Sequence, residues 1–275
     1  MTTTTPIAVI CKIGIVGIAG RMGQTLVREV ARQTGAVLAG GTERAGSNMI
    51  GRDPMVLAGL EPSQLKIVED PALLFAEADA VIDFTAPAAV AQHAALAAQA
   101  KTAYILGTTG LEPEHFAAIE RAARHCVVVQ SYNMSLGVNI LAGLVQQVAA
   151  RLGDDWDIEI MEMHHRHKVD APSGTAILLG EAAAKGREVA FREQAVLSRE
   201  GITGARKPGT IGFATLRGGN VVGEHTAIFA AEHERIELSH KATDRGIFSR
   251  GAVRAALWAR GQKPGLYTMK DVLGL

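Results

Sequence analysis

Residues 162–175 read Glu-Met-His-His-Arg-His-Lys-Val-Asp-Ala-Pro-Ser-Gly-Thr, so His164, His165, Arg166, His167 and Lys168 set five potentially cationic side chains in succession. Crowding of that kind penalises each further proton, so some of these imidazoles stay neutral near physiological pH and can exchange protons. The chemistry on offer is a positive pocket for an anionic substrate with proton transfer beside it. A solvated basic turn is the bland alternative. A metal site is another, because His165 and His167 share one face of a strand. Arg166 and Lys168 oppose a divalent ion there, however, and no Cys or tight Asp/Glu set supplies a third ligand, so no metal is expected.

In a fully extended strand His164 and Lys168 lie about 13 Å apart, at roughly 3.3 Å per residue, too far to serve one small substrate. If both act on it, the strand ends near His165 and the chain turns, as Asp170 and Pro172 allow. Ser173 then caps a helix whose first N–H groups, those of Gly174 and Thr175, face an incoming carboxylate together with the Thr175 hydroxyl.

A second chemical signal lies near the N-terminus, where Gly17-Ile18-Ala19-Gly20-Arg21-Met22-Gly23 follows an apolar strand and opens an amphipathic helix. Glycines permit a tight turn, and free N–H groups at a helix start favour a pyrophosphate, so the segment reads as a dinucleotide-binding turn. The spacing is GxxGxxG, with Ala19 where the usual fingerprint has its second glycine, and a structural turn is the alternative. Glu43 follows the second strand, where an acid accepts hydrogen bonds from a ribose hydroxyl, while Arg44 beside it can accept a 2′-phosphate. The pair predicts use of both NADH and NADPH, against the alternative of a surface ion-pairing dipeptide. Gly107-Thr108-Thr109-Gly110 follows another strand and suits a nicotinamide ribose or carboxamide.

These residues need a scaffold, and the pattern supplies one. From Lys12 to about Asn133 short β-branched runs alternate with Ala-rich helical stretches, the signature of βαβ units. Ile13-Gly14-Ile15-Val16 leads into a helix from Gly23 to Arg32, and Val37-Leu38-Ala39 follows. Ala80-Val81-Ile82-Asp83 and Tyr104-Ile105-Leu106 precede helices opened by Pro87 and Pro113. Val127-Val128-Val129 closes this half of the chain as one more continuous apolar strand, as expected for a parallel sheet buried on both faces. Beyond a helix from about Leu136 to Arg151 the character changes. Asp157 to Met163, Thr210 to Leu216, Val221 to Ala230 and Arg235 to Ser239 read as strands of a more β-rich domain, one sheet face of which is half-apolar and open to a partner subunit. A last helix, Gly251 to Arg260, can return to the first domain.

Composition narrows the function further. The 275 residues carry 28 Lys plus Arg against 28 Asp plus Glu, so no net charge draws the chain to nucleic acid or anionic membrane. Only 4% of residues are aromatic, too few for a base-stacking platform. No apolar run approaches the roughly 18 to 20 residues of a membrane span. Ile7 to Ala19 is interrupted by Lys12, and Met1-Thr2-Thr3-Thr4-Thr5-Pro6 lacks a basic segment, so a signal peptide is not expected and the chain reads as cytoplasmic. Cys11 and Cys126 sit in the strand-like apolar runs Ala8-Val9-Ile10-Cys11 and Cys126-Val127-Val128-Val129, as buried thiols of a reducing compartment.

Taken together these motifs resemble the dihydrodipicolinate reductase family of bacterial lysine and diaminopimelate synthesis. The resemblance rests on the glycine loop from Gly17 to Gly23, Glu43-Arg44, Asp83-Phe84-Thr85, Gly107 to Gly110 and the long segment from His164 to Thr175. It continues in Pro208-Gly209-Thr210-Ile211-Gly212, Val222-Gly223-Glu224-His225-Thr226 and Gly251 to Ala256. It implies a Rossmann-like doubly wound parallel sheet (1–134 with 245–275) plus an α+β domain with an open mixed sheet (135–244), hinge closure on substrate and a homotetramer. It implies NADH or NADPH as cofactor and a small cyclic dicarboxylate as substrate, reduced by hydride transfer to C4 after loss of the 4-hydroxyl.

His164 is then the general acid, Lys168 a proton donor to the ring, and His165, Gly174 and Thr175 the carboxylate contacts. Cofactor contacts carry over to Gly17, Ile18, Ala19, Gly20, Arg21, Met22, Glu43, Arg44, Gly107, Thr108, Thr109, Ser131, Tyr132, Asn133 and Met134. Two departures from the family pattern stand near the cofactor: many members have an aromatic residue in place of Met134, and some have Arg in place of Ala86. Two rival readings are another nicotinamide-dependent dehydrogenase, of which the semialdehyde type needs a nucleophilic Cys, and a catalytically silent dinucleotide-binding regulator.

Overall fold

The computed structural model describes residues 10–275; Met1 to Pro6 and Ile7-Ala8-Val9, which bear on the leader and first-strand expectations, lie outside the described residues. In chain order the elements are β1 (Cys11–Val16), α1 (Arg21–Arg32), β2 (Ala36–Thr42), α2 (Pro54–Leu57), α3 (Pro71–Glu77), β3 (Ala80–Asp83), α4 (Pro87–Ala100), β4 (Ala103–Leu106), α5 (Pro113–Ala123), β5 (Val127–Gln130) and α6 (Leu136–Ala149). Then come β6 (Asp157–His164), α7 (Gly174–Gly186), α8 (Phe191–Gln194), β7 (Ala195–Val196), β8 (Ile211–Arg217), β9 (Gly223–Ala230), β10 (Arg235–Ala242), α9 (Gly246–Ala259), β11 (Gly265–Tyr267) and α10 (Met269–Leu273).

Proline opens α2, α3, α4 and α5, where its missing N–H leaves nothing unsatisfied. Asp53 and Asp70 cap the first two of these through their carboxylates.

The chain divides into two compact units: the residues up to Ser135 with Gly246–Gly274, and Leu136–Arg245 with Leu275. In the first unit six parallel strands run in the order β11-β5-β4-β3-β1-β2. Every residue of β3 and β4 is buried, which is why both read as unbroken apolar runs. Val81, Tyr104, Leu106 and Val128 pack with α3, α4 and α5 on one face, and α1 and α9 pack together, with α9 also lying on β1, β3, β4 and β5. Helices therefore flank both faces of a doubly wound sheet. Val127-Val128-Val129 lies in β5, the last strand before α6, and the C-terminal segment adds β11 alongside it as a sixth strand. Cys11 is in β1 and Cys126 just before β5; both thiols are free and buried, and burial pushes each up to about 11.

The second unit is a five-stranded mixed sheet, β10-β9-β6-β8-β7, with β6 and β8 parallel and β9 antiparallel to both its neighbours. Ile158, Ile160, Phe213, Ala227 and Phe229 face Leu141 and Val145 of α6 and Leu179 and Ala183 of α7 in one core. Two-residue alternation sends Met161 of β6 to the opposite face, with its strand neighbour Ala214 and, two residues along β8, Leu216. No helix among the described residues is long and apolar enough to cross a membrane.

Candidate active site

In the first unit all strands are parallel, so the loops after β1, β2, β3, β4 and β5 emerge at one sheet edge. The chain crosses from β1 to β2 in one direction and from β3 to β5 in the other, which opens a crevice beyond β1 and β3. Gly17 takes a left-handed φ of 68°, and Gly23 admits no side chain, because a Cβ there would overlap the Gly17 and Ile18 carbonyls. The loop amides are not all available to a ligand. Ile18 N donates to Thr42 O (3.1 Å), Gly20 N to Gly17 O (3.1 Å) and Ala19 N to Glu43 Oε1 (2.9 Å). An anion is left the first turn of the 12-residue α1, at Arg21, Met22 and Gly23, whose N–H groups have no acceptor within the helix. Glu43 thus couples the glycine loop to the end of β2 as well as offering a carboxylate to a ribose.

A cleft of about 700 Å³ brings Gly17, Glu43 and Arg44 together with Thr85, Ala86 and His93. Thr85 is held by its amide and hydroxyl on Asp83 Oδ1 (2.8 and 2.6 Å), and Asp83 Oδ2 is met by His93 Nδ1 and the Tyr104 hydroxyl, both at 2.7 Å. Burial opposes ionisation of Asp83, but His93, Thr85 and Tyr104 outweigh it and hold the carboxyl below its usual range. The same burial, with Asp83 alongside, pushes the Tyr104 hydroxyl well above its ordinary value. Gly107, Thr108 and Thr109 follow β4, and Gly107 lies so close to the Phe84 ring that a Cβ would overlap it. Ser131, Tyr132, Asn133 and Met134 follow β5. Tyr132 is exposed, whereas Met134 is buried with its carbonyl against Gly251 of α9.

The second unit gathers the other candidates. β6 ends at His164, and Lys168 N donates to His165 O (3.1 Å), so the chain turns where joint action of His164 and Lys168 requires. Ser173 caps α7 by accepting from Ala176 N (3.1 Å), which leaves Gly174 and Thr175 in the first turn, Gly174 exposed and with open space above its Cα.

His164 is 9% exposed and its Nδ1 lies 2.6 Å from Glu162 Oε2. Glu162 itself is 1% exposed and also receives both Arg217 terminal nitrogens (2.8 and 2.9 Å) and Ser173 N (3.0 Å). Burial works against its charge, yet Arg217, His164 and the Ser173 amide hold it below the usual carboxylate range. A carboxylate only accepts, so the proton of this short contact sits on Nδ1. A Cβ on Gly223 would lie 3.0 Å from His164 Nε2, so glycine there leaves room beside that nitrogen.

Lys168 Nζ donates to both Asp170 oxygens (2.8 and 2.9 Å). Local desolvation, then the charges of Arg245, His164, His167 and Lys168, lower His165, as crowding of cations requires. The segment is therefore not a bare positive stripe, because Glu162 and Asp170 balance part of it. Among the described residues no three His, Cys, Asp or Glu side chains come together as a metal site.

Sequence reasoning missed Glu162, Arg217, Asp170 and His225 as partners of the histidine cluster. The alternation Glu162-Met163-His164 was a usable signal for the first, since residues two apart share a strand face.

Residues 11–134 match the family described as dihydrodipicolinate reductase, N-terminus, and residues 137–273 its C-terminus. The chain is 60% identical over 265 residues to a 4-hydroxy-tetrahydrodipicolinate reductase of Sinorhizobium fredii, covering 96% of this chain and 97% of that one. It is 57% identical over 265 residues to its namesake from Parvibaculum lavamentivorans, covering 96% and 98%. Among solved structures it resembles a dipicolinate-bound dihydrodipicolinate reductase from Paenisporosarcina sp. TG-14, with a TM-score of 0.74 at 21% identity over 95% of this chain and 98% of that one. An aspartate semialdehyde dehydrogenase from Vibrio cholerae shares the fold at a TM-score of 0.54 and 11% identity, over 90% and 97% of the two chains.

Proposed function

Since the chain belongs to the dihydrodipicolinate reductase family and catalyses the NAD(P)H-dependent reduction of 4-hydroxy-tetrahydrodipicolinate to tetrahydrodipicolinate, we propose that His164 is the general acid of that reaction. Lys168 is a second proton donor, and His165, Gly174 and Thr175 hold the substrate carboxylates. The observation that carries this reading is the Nδ1 contact of His164 with Glu162, which leaves Nε2 as the nitrogen that can donate.

The first-turn amides of α1, with Gly17 to Met22, Glu43, Arg44, Gly107 to Thr109 and Ser131 to Met134, are the groups that would hold the cofactor, and the cleft beside Gly17 and Glu43 has room for it. Bound there, NAD(P)H would supply hydride to C4 of the ring once the 4-hydroxyl has left as water with a proton from the adjacent ring carbon. Reduction leaves negative charge on the ring, and a proton must follow. His164, as imidazolium, gives it from Nε2 while Glu162 keeps the Nδ1 proton and the ring's orientation. An ammonium has three N–H groups. Asp170 takes two of those on Lys168 and one remains for the substrate. Each well-placed general acid contributes typically ~10²–10⁴-fold. The Gly174 amide and Thr175, at the positive end of α7, suit a carboxylate.

The rival that needs a nucleophilic cysteine is disfavoured, because burial keeps Cys11 and Cys126 protonated. The proposal includes a homotetramer assembled through the helix-free face of the second unit's sheet, acting in the cytoplasm.

The test follows the near-ultraviolet absorbance of NADH, and separately NADPH, with substrate made in situ from pyruvate and aspartate semialdehyde. Wild type should oxidise the cofactor rapidly, and His164→Gln should lose at least about 100-fold in kcat while binding NADH with nearly unchanged affinity. Unaltered turnover in the variant removes His164 from the role.

A further inference from the structure

We propose that Glu162, locked by Arg217, is the positioning residue that sets the tautomer and orientation of His164, an inference that rests on His164 being the proton donor. Four contacts converge on its carboxylate, and they account for both oxygens. Oε2 accepts from His164 Nδ1 and one Arg217 nitrogen, and Oε1 from the other Arg217 nitrogen and Ser173 N. A bidentate guanidinium fixes the plane of a carboxylate as well as its place. With that plane fixed, one direction remains for the imidazole.

The carboxylate is a junction between three parts of the site. Glu162 and His164 share one face of β6, Arg217 is the residue opposite His164 on β8, and Ser173 caps α7. Arg217 also donates to the Asp170 carbonyl (2.7 Å), whose side chain holds Lys168. One buried charge thus ties the proton donor, the start of the carboxylate-binding helix and the turn carrying the second donor. Two functions follow for Glu162. It keeps the proton on Nδ1, so that Nε2 is the exchanging atom, and its charge stabilises the imidazolium that must exist before a proton can be given. A buried carboxylate on the far nitrogen of a catalytic histidine does both.

The experiment compares Glu162→Gln, Glu162→Asp, His164→Gln and the double variant Glu162→Gln/His164→Gln, each checked for folding by circular dichroism and for NADH binding by fluorescence. Glu162→Gln keeps the shape and removes the charge, so kcat should fall about 30- to 100-fold with KM for NADH within about twofold. Glu162→Asp keeps the charge at shorter reach and should retain more turnover than the Gln variant, the reverse of the order that simple packing predicts. The double variant should be no slower than His164→Gln, because Glu162 acts through that ring.

Imidazole ¹⁵N shifts supply a readout independent of turnover: the wild-type His164 signals should report protonated Nδ1, and Glu162→Gln should shift them toward a mixture of tautomers. If Glu162→Gln does not fold, Arg217→Lys carries the test, with a fall of about fivefold or more in kcat and unchanged NADH binding expected.

Full turnover in His164→Gln would remove the proton-donor reading and this inference with it. A dead His164→Gln beside a Glu162→Gln of wild-type kcat and unchanged ¹⁵N shifts would overturn the positioning role alone. So would Gln outperforming Asp, or wild-type turnover in Arg217→Lys.

Discussion

His225 is 4% exposed, hydrogen-bonds Ser173 Oγ through Nε2 (3.0 Å) and lies edge-on to His164 with ring centroids 5.0 Å apart. Its burial, and then the cationic form of His164, push its pKa down to about 4; Glu162 opposes this, and His240 and Lys168 add to it. At neutral pH the ring is therefore uncharged and does not repel a proton on His164. The same shift couples it to folding. Below its ordinary value of 6.5 the unfolded chain takes up a proton that the folded chain refuses. Its contribution is therefore complete above that pH and is lost as pH falls through about 4. Between about pH 7.5 and about pH 4.5 that amounts to roughly 2 to 3 kcal/mol. Urea midpoints of wild type and His225→Gln at both pH values measure it. The variant should be the less stable at neutral pH yet lose less on acidification, and equal losses would show that His225 titrates normally.

At the scale of elements, Gly251 shows how closely α9 is seated. Its Cα lies under the Met134 carbonyl at the end of the segment after β5, and a Cβ would overlap that oxygen. Because the obstacle is backbone and both partners are buried, neither can yield cheaply. Gly251→Ala should destabilise the fold by about 3 kcal/mol or more, read as a lowered thermal midpoint, whereas Gly143→Ala in α6, where a Cβ meets only Leu275 side-chain atoms, should be near neutral. Equal midpoints for the two variants would sink the idea.

The contrast bears on what could be read in advance. The βαβ order was legible because doubly buried strands such as Ala80–Asp83 are continuous apolar runs and the following helices open on proline. β11 was not, since Gly265-Leu266-Tyr267 has no periodicity of its own and becomes a strand only where β5 offers an edge. The site divides the same way. His164, the turn before Ser173 and the Ser173 cap follow from local spacing. Arg217 and His225 reach the cluster through the register of β6 with β8 and β9, where His164 pairs with Arg217 and Glu162 with His225, and such long-range pairing leaves no local trace.

For the whole molecule, the decisive surface is the helix-free face of the second unit's sheet. Met161, on the central strand β6, is 39% exposed, and Leu216, on β8, is 46% exposed. Ala214 lies beside Met161 in the register, Leu216 beside Met163, and Ile228 beside Glu159. Polar pairs border them: Arg199 and Arg206 on Glu159, and the Thr226 hydroxyl with that of Ser239 (2.9 Å). An apolar centre with a satisfied polar margin is the anatomy of a protein interface, and a second copy of the same face provides matching apolar area. Two side chains on this face, Met161 and Leu216, should therefore decide whether the proposed homotetramer forms. Wild type should elute as a tetramer in size exclusion with light scattering. Met161→Glu/Leu216→Glu should elute as a smaller species with unchanged circular dichroism, because each carboxylate would have to be buried unpaired on assembly while remaining solvated in the separated chain. A variant that stays tetrameric would move the interface to another face, and a monomeric wild type would end the assembly proposal while leaving the chemistry at His164 untouched.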